Sequence, residues 1–338
     1  VQARAVAALV GHDPDPPRPA LRSAGARALT GLLVAVLLTG LFAVYGLVTG
    51  HTLTAPTDPG VILQERESGA RYVFRREDGR LHPILNYTSG LLLVGEDRPA
   101  IATMSARRLA EVPLGAPLGI PGAPDSLPAA ADLLDGDWSV CTAVVDGRPR
   151  GTLLVGASPA GGTALSGGLL VHDARGRTHL IFSGHRVLLP AALTDASQAS
   201  WPVAAAWLRA IPEAPAPPTV LPGLLPDPAS ACVTLSASTT AAGVRVNSTF
   251  PGGEAPGGAA PVDRIHIARG AGALVAAAST PDRKVSLVTD AGLRFPLAGP
   301  ELLNRLGYPD EQPRPVPALL VAYLPSGPAL DPVRAGRP

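Results

Sequence analysis

Lysine is nearly missing from this chain. Lys284 is the only one among 28 basic residues, so a phosphate-binding loop of the G-x-x-x-x-G-K-[ST] type is excluded. Aromatic residues make up 4%, which leaves any core to be built from Leu, Val, Ile and Ala. With two cysteines, a cysteine-rich metal site is ruled out. The net charge of +1 gives no reason to expect a nucleic-acid surface. What the chain does have is glycine and proline, 75 of 338 residues, a composition that favours short strands joined by turns over long helices. A first residue of valine fits a trimmed fragment or an alternative start codon.

One long apolar run stands out. Residues 28–48, ALTGLLVAVLLTGLFAVYGLV, hold 21 positions without a charge, a helix of roughly 31 Å that matches the hydrocarbon core of a bilayer. A signal-peptide core is shorter, about 7–15 residues, and here some 27 residues precede the run. Arg18, Arg22 and Arg27 lie before it, and the first arginine after it is Arg66. This asymmetry places the N-terminus in the cytoplasm and residues 51–338 outside. Gly31, Ala35, Thr39 and Ala43 recur every four residues, a stripe that would let helices pack closely; chance in an Ala/Gly-rich chain is the alternative. Both Cys141 and Cys232 fall on the outer side. In an oxidising compartment they read as one disulfide, with two buried thiols as the alternative.

In the exported part, three segments share a register when Gly79, Gly176 and Gly292 are aligned. Three residues on stand His82, His179 and Phe295; Pro83 and Pro296 follow. Each copy reads as a strand, a turn ending in glycine, a second strand and a short helical segment. A phenylalanine in the place of His82 argues for a packed corner and against catalysis. Separations of 97 and 116 residues are too long and uneven for a solenoid. Val203–Ala210 reads as a short helix packed through Trp207, and PGGEAPGGAAP (251–261) as a flexible loop. Residues 233–250 are open as a degenerate fourth copy.

Motifs for chemistry are mostly absent; a carboxylate pair for glycoside chemistry needs no local motif and stays open. GAGALV (270–275) lacks the third glycine of a dinucleotide fingerprint, and ALSGG (164–168) lacks the first glycine of a nucleophile elbow. His172, His179 and His185 with Asp173 have no metal-ligand spacing. No catalytic, cofactor or metal residue is assigned.

Several pieces, in order, resemble the EccB family of the type VII (ESX) secretion machinery. They are VQARAVAALVGHDPDPPRPALRS, the apolar helix, SGARYVFRREDGRLHPILNYTSGLLLVG, PLGAPLGIPGAPDSLP, DWSVC and LGYPDEQPRPVPALLVAYLPSGPALDP. The resemblance implies a single-pass inner-membrane protein that works with EccC, EccD and EccE and pairs with a second copy. It also implies a disulfide on Cys141 and Cys232 and repeat modules similar to a phage-type cell-wall-binding fold. ATP hydrolysis is attributed to the family, but no phosphate-binding motif is present here. The departure is three repeat copies in place of four.

The chain is thus expected to be α+β, with a strand-rich, elongated exported region of small αβ repeat modules around a central β domain, on one N-terminal transmembrane helix. The expected divisions are a cytoplasmic segment (1–27), the membrane helix (28–48), a linker (49–60) and a first module (61–112). Then come a central part with Cys141 (113–168), a second module (169–200), a central part with Cys232 (201–272) and a C-terminal module with its tail (273–338). The expected role is a structural component of the secretion complex, in contact with membrane lipid and not with nucleic acid. Peptidoglycan binding and a membrane-anchored ATPase are the alternatives.

Overall fold

The structure is a computed structural model that describes residues 20–49, 54–97, 99–190, 200–214, 218, 220, 222–237, 242–278 and 284–338. Residues 1–19 and 50–53 lie outside the described residues, and in the first helix only side chains 28–42 are described. That helix, α1, is unbroken from Ala20 to Thr49. Among the described residues no helix is long and apolar enough to cross a membrane; the described side chains of α1 fall short of a span.

The first module begins with an antiparallel meander, β1 (Val61–Glu65), β2 (Arg71–Arg75) and β3 (Arg80–Pro83). Gly69 and Gly79 supply the positive φ its turns need, 75° and 66°. The stretch after β3 is polar because it starts a helix. Asn86 caps α2 (Tyr87–Val94), its Oδ1 accepting from the Ser89 N–H at 3.0 Å, and Gly95 closes it at φ 76°. Gly90 lets α2 lie on the sheet, since a Cβ there would come 2.6 Å from Ile84 Cδ1. The crossover returns β4 (Ala100–Met104) parallel to β1, and α3 (Ala106–Leu109) follows.

The central sheet starts with β5 (Trp138–Val145), β6 (Arg148–Leu154) and β7 (Thr163–Ala164). The chain then builds the second module from β8 (Leu169–His172), β9 (Thr178–Phe182), β10 (His185–Leu188), β11 (Trp201–Pro202) and α4 (Ala205–Ala210). Trp207 on α4 is fully buried. The chain re-enters the central sheet as β12 (Ser230–Leu235), β13 (Gly243–Val246) and β14 (Arg264–His266). The third module follows as β15 (Gly272–Ala278), β16 (Val285–Thr289), β17 (Arg294–Pro296), α5 (Leu302–Arg305), β18 (Arg314–Pro317), α6 (Ala318–Ala322) and α7 (Pro332–Ala335).

All three modules have one topology. Their sheet orders are β3-β2-β1-β4, β10-β9-β8-β11 and β17-β16-β15-β18, each with its last strand parallel to its first. The fold is therefore strand-rich α+β with several small sheets. The described parts of 233–250 form no fourth copy; their strand residues, 233–235 and 243–246, belong to β12 and β13 of the six-stranded central sheet, order β14-β6-β5-β12-β13-β7.

Two divisions differ from the sequence reading. Residues 113–125 belong to the first module, not the central part: Leu81 N–H donates to Pro113 O (2.9 Å), Leu118 N–H to Pro83 O (2.8 Å) and Tyr87 N–H to Asp125 Oδ1 (2.8 Å). Residues 201–214 belong to the second module, whose β10 accepts a returning strap at Glu213. The physical reason is common to both, because an edge strand left bare presents unpaired backbone groups.

The first and third modules share one core, in which Ile62, Leu91 and Leu92 meet Leu302, Leu303 and Ala335. A second core joins the central sheet, the second module and the third, through Trp138, Trp207 and Tyr323. The Tyr323 hydroxyl donates to Ala206 O at 2.8 Å. Cys141 and Cys232 stand opposite each other on β5 and β12 and are bonded, 91 residues apart. The second module is an insertion between these strands. By the chain-entropy model, closing so long a loop stabilises by about 4–5 kcal/mol. The double variant Cys141→Ala/Cys232→Ala is expected to melt roughly 5–15 °C lower than the parent in differential scanning calorimetry; an unchanged Tm would show that the bond carries no stability.

Candidate functional site

Of the residues singled out in the sequence, Gly79, His82 and Pro83 lie at a corner built from β3 and the strap that pairs with it. His82 is 6% exposed. Its Nδ1 lies 2.7 Å from Ala116 O on the strap, and its Nε2 2.8 Å from Asp78 Oδ2 on the β2–β3 turn. The imidazole rests on Gly115, where a Cβ would collide with the ring. Asp78 loses some hydration here, which works against its charge. The hydrogen bonds from His82 and the Arg80 N–H prevail and hold its carboxyl below the ordinary range.

The third module repeats this corner in apolar form. Phe295 on β17 rests on Gly327, again where a Cβ would collide. Arg294 N–H donates to Pro325 O at 3.0 Å and Gly327 N–H to Arg294 O at 2.8 Å, the same pair of bonds that links Leu81 with Pro113 (2.9 Å) and Gly115 (2.7 Å). In the second module the pair runs from Arg186 N–H to Pro212 O (2.8 Å) and from Ala214 N–H to Arg186 O (2.9 Å). Arg186 is thus the counterpart of Leu81 and Arg294, and Val187 that of His82 and Phe295.

This changes the second copy. The glycine equivalent to Gly79 and Gly292 is Gly184, not Gly176. Gly176, at φ 73°, lies one turn earlier, between β8 and β9. His179 accordingly sits on the second strand, opposite Leu188, in the place of Tyr72 opposite Pro83 and Ser286 opposite Pro296. The second module's true turn is the two-residue Ser183–Gly184, with φ 45° and 73°, the two positive values a tight hairpin requires. The Ser-Gly pair is the signal that sequence alignment on Asp-Gly-like turns passes over. Pro83 and Pro296 both end their strands, as expected of a residue without an N–H.

The histidines near 172–185 do not converge on one point. His172 Nδ1 lies 2.8 Å from Ser200 O and His185 Nδ1 2.9 Å from Ser183 O. Asp173 Oδ1 accepts from the Arg175 and Arg177 N–H groups, and Oδ2 from the Arg177 guanidinium. Against some desolvation, these bonds bring its carboxyl down to about 2. His179 is 3% exposed with neither ring nitrogen hydrogen-bonded, and Asp173 Oδ2 is 3.7 Å away, too far for a bond. Burial lowers its pKa, and the nearby carboxylate offsets that only in part. Among the described residues no group of His, Cys, Asp and Glu could hold a metal ion.

Two clefts stand out among the described residues. One of about 650 Å³ lies between the first and third modules, lined by Phe74, Leu92 and Val333 with Arg75, Arg76 and Arg305. Arg75 is paired with Glu77 at 3.0 Å and donates to Gly336 O. The other, about 320 Å³, includes Trp138 and the Arg314–Asp137 pair. Neither lining contains a histidine or a cysteine. On α1, the residues Gly31, Ala35 and Thr39 follow one another at four-residue spacing, with Thr39 Oγ1 donating to Ala35 O at 2.8 Å; the Ala43 side chain lies outside the described residues. Large apolar side chains around them are open, Leu37 at 68% and Phe42 at 70%.

Two outcomes follow from the corner and from His179. Gly115→Val is expected to destabilise by about 1–3 kcal/mol in urea titration, whereas His82→Phe, which installs the third module's ring, costs less. A larger loss for His82→Phe than for Gly115→Val would contradict the packing role. Above pH 6.5 His179 is neutral in both folded and unfolded chains. Below it the unfolded chain gains a proton that the buried ring refuses, so stability falls. His179→Leu should therefore flatten the decline of Tm between about pH 6.5 and 5; parallel curves for the two proteins would refute this.

Comparisons with known proteins agree with this architecture. A family profile described as "Type VII secretion system ESX-1, transport TM domain B" matches residues 1–228 and 226–337. The ESX-3 secretion system ATPase EccB3 of Mycolicibacterium smegmatis is 34% identical over 214 residues, covering 58% of this chain and 40% of that protein. The ESX-2 secretion system ATPase EccB2 of Mycobacterium tuberculosis is 30% identical over 254 residues, covering 65% and 48%. The chain thus spans less than half the length of these relatives. In fold, it is similar to a chain of an intact ESX-5 inner membrane complex, with TM-score 0.71, 20% identity and coverage of 99% and 92%. It is likewise similar to the EccB3 dimer from the ESX-3 core complex, with TM-score 0.63, 20% identity and coverage of 82% and 100%. With the profile matching along nearly its whole length, the chain belongs to the EccB family of type VII secretion systems.

Proposed function

We propose that this protein is a structural component of a type VII (ESX) inner-membrane complex. The observation that carries this reading is the family match along nearly the whole chain, joined to three modules of one topology around a stapled central sheet. In this reading α1 crosses the membrane once with its N-terminus in the cytoplasm. The uncharged run 28–48 and the openness of its described apolar side chains support that, since a large exposed apolar surface marks contact with membrane or a partner. The modules form a scaffold on the outer side that meets EccC, EccD and EccE, and a second copy of the chain. The relatives carry ATPase in their names, yet this sequence lacks a lysine-bearing phosphate loop and neither cleft is lined by a lysine. Scaffolding needs only rigid, complementary surfaces, which the fold supplies.

The test is affinity purification of C-terminally tagged full chain from gently solubilised native membranes, followed by mass spectrometry. Co-purification of EccC and EccD in one large particle is the expected result. Recovery of the chain by itself, or only with cell-wall fragments, would replace the scaffold reading with an independent binding role.

A further inference from the structure

Each of the three modules ends its sheet on the strand that returns beside the first, and these edges are not alike. On β11 the strand is two residues long. On β18, Arg314–Pro317, two of four residues are proline and Arg314 is tied to Asp137 at 3.1 Å. Both are the usual defences of a sheet edge. By contrast β4, Ala-Ile-Ala-Thr-Met, has five residues, no charge and no proline. No described strand pairs with its outer side. Ile101, at 44% exposed, and Thr103 stand open on it.

We propose that β4 pairs antiparallel with β4 of a second copy about a two-fold axis at Ala102, joining two first modules into one eight-stranded sheet. This rests on the dimeric reading above and adds the surface to it. Three observations select this occupant. First, the register closes. Met104 O accepts from the Arg66 N–H, which follows β1, so residue 104 points its backbone inward, and by alternation 101 and 103 point theirs outward. A two-fold at Ala102 sets Ile101 against Thr103 of the partner subunit, so that every outward N–H and C=O of the two residues is bonded; shifting the axis to Ile101 would bring Pro99, which has no N–H, against Thr103.

Second, the side chains suit such a pair. Ile101 and Thr103 are β-branched and would meet across the axis on one face. On the other face Ala102, small and 8% exposed, leaves room for its own copy.

Third, the flanks are charge-complementary under the same axis. Glu96, Asp97 and Arg98 precede β4, with Arg98 outside the described residues, and Arg107 and Arg108 follow it. The two-fold brings Asp97 of one copy toward Arg107 of the other. Asp97 and Arg107 are both exposed. An unrelated extended peptide would not call for this symmetry about Ala102.

The test uses the full chain in detergent. Facing residues in a pair not joined by hydrogen bonds stand about 4.5 Å apart at Cα, within disulfide range, so Ala102→Cys is expected to give a covalent dimer on mild oxidation. Ile101→Pro removes an outward N–H and leaves the bonds to β1, and should weaken the dimer roughly tenfold or more by analytical ultracentrifugation. Asp97→Arg should also weaken it, and Arg107→Asp added to it should restore it. A parent dimer that survives Ile101→Pro and gives no Ala102→Cys cross-link overturns this edge while the dimeric reading stands. A parent chain that is monomeric at every concentration overturns both. Cross-linking of Ala102→Cys to a different protein assigns the edge to that partner and overturns the two-fold.

Discussion

The pairing of β5 with β12 is the constraint on which the rest of the architecture depends. Six residues, 138–143, lie against 230–235 in one register, and the disulfide closes the middle of that ladder. Both strands are central in the six-stranded sheet, so β6 and β14 attach on one side and β13 and β7 on the other. The second module departs after β7 and the chain re-enters the sheet through β12. Such long-range pairing has a large loop-closure cost, which must be met before the contacts form. A covalent bond between these strands removes much of that cost from every later opening. It also ties an inserted module to its base, which non-covalent packing of an aliphatic core would do less firmly.

Around this sheet the same small unit is used three times, and its corner shows how little chemistry needs to be kept. The backbone bonds to the strap are constant, whereas the contact pair changes as a unit: imidazole on Gly115, phenyl on Gly327, and the smaller Val187 in a cluster that includes Ala214. Ring size and strap side chain compensate for each other, as close packing demands. His82 adds two hydrogen bonds to a role that Phe295 performs with none. A histidine bonded to an aspartate is a common start for a catalytic argument, yet here its counterpart in the same chain is inert.

Much of this was legible in the sequence, for identifiable reasons. Hairpins, the helix through Trp207 and the disulfide each rest on local signals or on a count of two. The register of the second module was not, because Asp173–Gly176 imitates the turn of the other copies and attracts the alignment one strand too early. The straps were illegible for a different reason. Residues 113–118 meet β3 through backbone bonds some 33 positions away, and a backbone bond leaves no residue pattern beyond a small side chain under a ring. The division between module and central sheet moved for the same cause.

The cores explain why a body of this kind can transmit position from one end to the other. The first module follows α1 after a connector of eleven residues, 50–60, which spans at most about 40 Å. That module does not hang free: Leu92 on α2 shares a core with Leu303 and Ala335, and Arg75 donates to Gly336 O at 3.3 Å. The first module and the C-terminal end of the chain are thus packed together, and the third module carries that contact into the central sheet through Val275, Val316 and Tyr323. A pull on α1 then acts on a closed body rather than on the first link of a string. For the closed body to yield, it must expose apolar area at about 25 cal/mol per Å², so a displacement of α1 moves the whole body before it unfolds a module.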